Sequence, residues 1–320
     1  MSLRHVVLDF DGTCTLVEAT QDAFLTAYHG LLTAEVRLAA QGGLGEVVGP
    51  AFAARWDEAL AWVREGSPTL GWSVLSKVSG APAWADPYIA SGEAVAWLER
   101  RWHEAGGAPV VIPHDLYKRA YDAHPAPWRA ELPAVLEALV GMGLVVTFVS
   151  NSATATIAAR LDTLLGAESA LRKGIRVFGH AAKFIVKEPE PDRPLHDGRP
   201  LSPAAWTRFS KLPAAVDGAR KLGRPVLLRR GDYYRALLAV WGDDGESARH
   251  TLVAGDIFEL DLAMPLALGG HAYLVERAPP FDTQGYERKL VKAAGGAIAP
   301  DLTRLPAVAE ALVGKRKKRG

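Results

Sequence analysis

With 320 residues, about half of them hydrophobic and 23% charged, the chain has ordinary globular composition and room for two buried cores. Lys plus Arg (37) nearly balances Asp plus Glu (36), so nothing global argues for a nucleic acid, a membrane surface or a strongly acidic partner. The one cysteine, Cys14, excludes an internal disulfide framework and a thiolate zinc site. No secretion signal or membrane-length apolar run is legible, so a cytoplasmic location is expected.

The chain opens on His5-Val6-Val7-Leu8-Asp9-Phe10-Asp11-Gly12-Thr13. Its apolar run is too short for a helix and β-branched enough for a buried strand. Asp9 and Asp11 then fall at the strand's carboxyl edge, where open α/β sheets bind ligands. Two acids so close repel each other unless a cation or a shared proton relieves them. An acidic turn is the plain competitor, since Asp and Gly are common turn residues.

A helix carrying Phe24, Tyr28, Leu31 and Leu32 comes next, with Thr20 or Asp22 as its cap, and Gln41-Gly42-Gly43-Leu44-Gly45 breaks it. Further helices are read at 52–63 and 92–105. Six of the nine tryptophans lie between residues 56 and 102, which implies a separate helix-rich unit with an aromatic core or an aromatic-lined mouth.

The α/β pattern returns after Pro125 and Pro127. An amphipathic helix at 132–140 ends at Gly141 or Gly143. A strand at 144–149 stops at Ser150-Asn151-Ser152, a helix covers 153–165, and a short strand is read at 175–178. Residues 188–213, rich in Pro and charge, read as a surface excursion. A strand at 225–228 and a helix at 233–241 lead to the apolar strand 251–254, which closes at Gly255-Asp256. A last strand is read at 271–275. The basic run 315–319 reads as a frayed, solvated terminus, with an acidic or nucleic-acid contact as the competitor.

Three apolar strands thus end in polar signatures: Asp9 to Thr13, Ser150-Asn151, and Gly255-Asp256 with Asp261 beyond. In a parallel sheet those ends share one edge. With these motifs the chain resembles the haloacid dehalogenase superfamily of phosphatases and phosphotransferases. Residues 9–13 match its first motif, Asp-x-Asp-Gly-Thr. Val149-Ser150-Asn151 matches its second, and Gly255 to Asp261 its fourth. The resemblance implies a doubly wound parallel-sheet, Rossmann-like α/β core of residues 1–16 and 126–314. A mostly α-helical cap, 17–125, is inserted between the first and second motifs, and the basic tail is 315–320. The implied activity is Mg²⁺-dependent hydrolysis of a small phosphorylated metabolite through an aspartyl-phosphate, with no nucleic-acid or membrane partner.

Residue types support distinct roles. A carboxylate such as Asp9 can attack phosphorus. Asp11, on the same side of the strand, can protonate the leaving oxygen and later deprotonate water. Mg²⁺ takes oxygen ligands, here Asp9, the Asp11 carbonyl and Asp256, with Asp261 orienting the site. Ser150, Asn151, Gly12 and Thr13 are the candidate phosphate-binding residues, although a helix N-cap is an equal competitor for Asn151. The family's third motif is a Lys. Arg230 occupies the slot before the helix leading to strand 251–254 and is favoured, with Arg229, Lys183 and Lys187 as rivals and a surface cation as the plain alternative.

Asp11 disfavours a dehalogenase. It also disfavours a phosphonatase, which would need a cap amine, Lys77 or Lys118. Phosphoryl transfer to another acceptor, or a non-catalytic protein that has kept the pocket, are the alternatives. Gly43-x-Gly45-x-x-x-Gly49 lacks the strand and spacing of a dinucleotide loop, and Cys14 reads as a small hydrophobe beside the site.

Overall fold

The computed structural model describes residues 3–40, 43–74, 77–218, 222–242 and 246–314; the basic run at the end of the chain lies outside them. The chain divides into two units, 1–15 with 74–81 and 128–320, and 16–73 with 82–127. Among the described residues no helix is long and apolar enough to cross a membrane.

The first unit is built on a six-stranded, wholly parallel sheet. Its strands are β1 (His5–Leu8), β2 (Val145–Val149), β3 (Ile175–Phe178), β4 (Thr251–Gly255), β5 (His271–Val275) and β6 (Ala297–Ala299). The order β6-β5-β4-β1-β2-β3 reverses direction beside β1, so a crevice opens at the carboxyl ends of β1 and β4. Side chains alternate across the sheet. Val6 and Leu8 join the apolar core beneath α1 (Leu132–Gly141), α2 (Thr154–Leu165) and α5 (Leu305–Gly314). Val7 joins the opposite core, formed with α3 (Gly231–Trp241) and α4 (Gly285–Ala293). With helices on both faces, β4 is buried along its whole length, which accounts for its unbroken small and apolar run.

Three details depart from the sequence reading. The strand read at 225–228 is Val226–Leu227, which pairs antiparallel with Ala215–Val216 apart from the main sheet. The excursion at 188–213 holds a helix, Pro203–Ser210, capped by the Ser202 hydroxyl and anchored by buried Ala205 and Phe209. The edge strand β6, only three residues long, was not anticipated.

The second unit packs helices Gln21–Glu35, Trp56–Gly66, Pro87–Glu104 and Leu116–Ala123 around Phe24, Tyr28, Trp56, Tyr88 and Trp97. The rings of Phe24 and Tyr88 meet edge to face at 4.9 Å. These aromatics are therefore a core. The unit also holds a three-stranded antiparallel sheet of Gly43–Val47, Arg37–Ala40 and Val110–Val111, where the sequence reads as one helix ended by a Gly-rich break and as no element at 110–111. Thr20 does stand at the start of Gln21–Glu35, but its hydroxyl donates to the His124 carbonyl and does not cap the helix. Asp86 caps Pro87–Glu104 by accepting from the Ile89 N–H at 2.6 Å.

Candidate active site

The carboxyl ends of β1, β2, β3 and β4 converge on three buried acids. Asp9, Asp256 and Asp261 each offer a carboxylate oxygen, and these oxygens lie within 4.8 Å of one another. Asp9 prolongs β1, its N–H donating to the Ala254 carbonyl of β4 at 3.0 Å. Burial, opposed by the nearby Lys183 ammonium, pushes the Asp9 carboxyl up to about 7.

Lys183 is the cation at this centre. Its Nζ lies 2.6 Å from Asp9 Oδ1 and 2.8 Å from Asp261 Oδ1, and it is 2% exposed. Burial alone would lower its pKa, but the Asp261 and Asp9 carboxylates outweigh that and hold it charged, above the ordinary range. Arg230, favoured from the sequence, takes a different place. Its guanidinium is fully buried and donates through Nη1 to the Lys183 carbonyl at 2.6 Å, so it braces the lysine from behind. Arg229 donates to the carbonyls of Leu212 and Ser210, and Lys187 pairs with Glu190 and Asp232.

Lys183 reaches the acids through a tight loop after β3. His180 and Ala182 both adopt positive φ, 53° and 43°, a conformation uncommon outside glycine. The loop holds that shape by pairing with the turn after β2. The N–H groups of His180 and Ala181 donate to the carbonyls of Ser152 and Ser150, and that of Gly179 to Thr154 Oγ1. Asn151 completes the set: its Oδ1 accepts the Lys183 N–H at 2.7 Å. It does not cap α2, whose N-cap is Ala153 without a side-chain bond. Ser150 lies in the same turn, its hydroxyl 3.3 Å from the Ser152 N–H.

After β4 the chain makes a π turn, Phe258–Leu262, which folds Asp261 back toward Asp256. Asp261 Oδ2 accepts the Ile257 N–H at 3.1 Å while Oδ1 serves Lys183. Gly255 is required here, since a Cβ on it would fall 2.2 Å from the Asp261 Cβ. Two residues unread in the sequence support the turn. Buried Arg277 donates to the Asp256 carbonyl and forms an ion pair with buried Glu287, whose Oε1 accepts the Phe258 N–H.

Asp11 stands apart from the acid cluster, its Oδ2 bonded to the Ser152 hydroxyl at 2.5 Å. Thr13 donates to Asp256 Oδ1 at 2.9 Å, which makes it a support for that acid where a phosphate contact had been expected. Gly12, at φ +79°, leaves the space in which a Cβ would sit 2.4 Å from Asp256 Oδ2. Arg129, also unread, fixes the loop by donating to the Thr13 and Gly12 carbonyls at 3.0 and 3.1 Å.

The donor set fits a hard divalent cation. All three clustered groups are carboxylates, and their oxygens are the donors such an ion prefers. The glycine at position 12 keeps the ground beside Asp256 open.

No family model and no curated protein matches the chain. Solved structures do. A predicted phosphoglycolate phosphatase from Haemophilus somnus shares 12% identity and a TM-score of 0.46, over 96% of this chain and 98% of its own. An L-2-haloacid dehalogenase from Xanthobacter autotrophicus shares 16% identity and a TM-score of 0.43, over 96% and 98%. A HAD phosphatase from Thermococcus onnurineus shares 13% and 0.43, over 96% and 97%. The neighbours are haloacid dehalogenase-type hydrolases. At these identities their names describe them alone, and the chemistry of this chain comes from its own residues.

Proposed function

We propose that the protein is a phosphomonoester hydrolase of the haloacid dehalogenase type, dependent on Mg²⁺ and acting on a small phosphorylated molecule. The observation that carries this is the Lys183 ammonium held between Asp9 and Asp261, with Asp256 completing a buried triad of acids. An ammonium donates and never accepts, so it favours the ionised, nucleophilic form of Asp9 against the burial that disfavours it.

In the first half-reaction Asp9 attacks phosphorus and the bond to the leaving oxygen breaks, with Asp11 giving that oxygen a proton. In the second, Asp11 takes a proton from the water that attacks the aspartyl-phosphate, which regenerates Asp9 and releases phosphate. Lys183 offsets negative charge on the attacked group, and Ser150 at the β2 end donates its hydroxyl to it. Asp9, Asp256 and the Asp11 carbonyl would hold Mg²⁺, which when bound neutralises the repulsion between a phosphate dianion and these acids. Asp261, with both oxygens engaged by Lys183 and the Ile257 N–H, orients the lysine.

Asp11 favours phosphate esters over haloacids, because expelling halide needs no general acid. The insert between the first and second motifs favours a small substrate. Hydrolysis of p-nitrophenyl phosphate with Mg²⁺, wild type against Asp9→Asn, tests the reading. Phosphate release that needs Mg²⁺ and Asp9 supports it. A folded protein inert across a broad panel of phosphate esters overturns it.

A further inference from the structure

We propose that Ser152 is a positioning residue that holds the Asp11 carboxyl group in line for proton transfer. The inference rests on the reading of Asp11 as acid and base, and it adds a residue that none of the motifs contains. Ser152 Oγ lies 2.5 Å from Asp11 Oδ2. Its own backbone is fixed on both sides, with its N–H on the Ser150 hydroxyl and its carbonyl accepting the His180 N–H. The hydroxyl is thus presented from a turn already locked to the Lys183 loop.

The chemistry of the two partners separates the two acids of the first motif. Asp9 faces an ammonium, which can only donate and so suits a group that must stay ionised to attack. Asp11 faces a neutral hydroxyl, which donates to Oδ2 and, carrying no charge, does not hold the carboxyl group to its ionised form. A residue that is protonated in one half-reaction and ionised in the next needs a partner of the second kind. With Oδ2 accepting from the serine in both states, the carboxyl group keeps one orientation in which to give and take its proton. An alanine at 152 would let the carboxyl group turn about its Cβ–Cγ bond.

Steady-state kinetics of Ser152→Ala on two esters tests this, with Ser152→Thr as the conservative control and thermal denaturation as the check on folding. kcat/KM reports the steps up to formation of the aspartyl-phosphate. p-Nitrophenolate leaves without help, so its kcat/KM is expected to stay within about threefold of wild type. Glycerol 2-phosphate has a poor leaving group, and its kcat/KM is expected to fall about 30- to 100-fold. On p-nitrophenyl phosphate, kcat and KM should fall together, because breakdown of the intermediate needs Asp11 as base. Ser152→Thr should recover most of the loss. Equal losses in kcat/KM on both esters, no loss on either, or no recovery by threonine overturns the proposal. A wild-type enzyme inert on both esters overturns the phosphatase reading, and this inference with it.

Discussion

Asn151 accepts the backbone N–H of Lys183 at 2.7 Å, and the same lysine's ammonium reaches Asp9 at 2.6 Å. The one asparagine in the chain therefore sets the position of the cation without touching the acids itself. Asn151→Ala removes the acceptor and leaves a strained loop short of one tether. Turnover should fall about tenfold or more, with a stability loss of about 1–3 kcal/mol. Kinetics and urea denaturation of the variant, beside Asn151→Asp, which keeps the acceptor oxygen, check both.

Lys183→Met and Arg230→Met should separate the cation from its brace. Losing Lys183 takes the ammonium from Asp9 and Asp261, and turnover should drop about 10²-fold or more. Losing Arg230 leaves the Lys183 carbonyl without a buried donor, so the larger effect falls on stability, by about 1–3 kcal/mol. Kinetics with denaturant titration decides. A larger kinetic loss from Arg230 would return that arginine to the role first read for it.

The sequence made the strand ends legible because apolar runs stopping at Asp9, Ser150 and Asp256 combine two independent signals, strand and chemistry. Lys183 was visible only as a rival to Arg230. It lies five residues beyond β3, in a loop whose non-glycine positive φ values leave no mark in composition. The sound clue was positional, since a parallel strand delivers the loop at its carboxyl end to the same edge as its neighbours' loops. Arg277 and Arg129 were unreadable for a different reason. What each of them steadies at the site is a backbone carbonyl, which every sequence has. The sheet of the second unit escaped because Gly43 and Gly45 read as a break, whereas they belong to a strand.

Gly12→Ala should weaken metal binding more than it destabilises the fold. The new methyl would meet Asp256 Oδ2 at 2.4 Å, and φ +79° is itself unfavourable for alanine. Asp256 must swing away or the loop must shift, and either disperses the acid cluster. Titration calorimetry with Mg²⁺ should show at least a tenfold weaker Kd; an unchanged affinity would remove Asp256 from the ligand set.

Proton and metal should compete at Asp9. Folding raises its carboxyl from 3.8 to about 7, so the folded state holds the proton more tightly than the unfolded chain. The stabilisation from that proton is complete below about 4 and is lost as pH rises through about 7. A cation needs the ionised form, so its affinity should grow over the same interval and level off above it. Melting curves in EDTA from pH 5 to 8 should show this contribution as a falling midpoint that Asp9→Asn flattens. With Mg²⁺, the gap over the EDTA series should widen with pH; a constant gap would place Asp9 outside the cation's ligands.

The π turn after β4 makes the count of residues between Asp256 and Asp261 a fixed quantity. Deleting one of them would move the following side chain to a different side of the turn. Asp261 would then leave both the Lys183 ammonium and the Ile257 N–H. A homologue one residue shorter in this stretch must draw the acid for its lysine from another position, and an alignment that closes the gap by pairing the two aspartates would match residues that do different work.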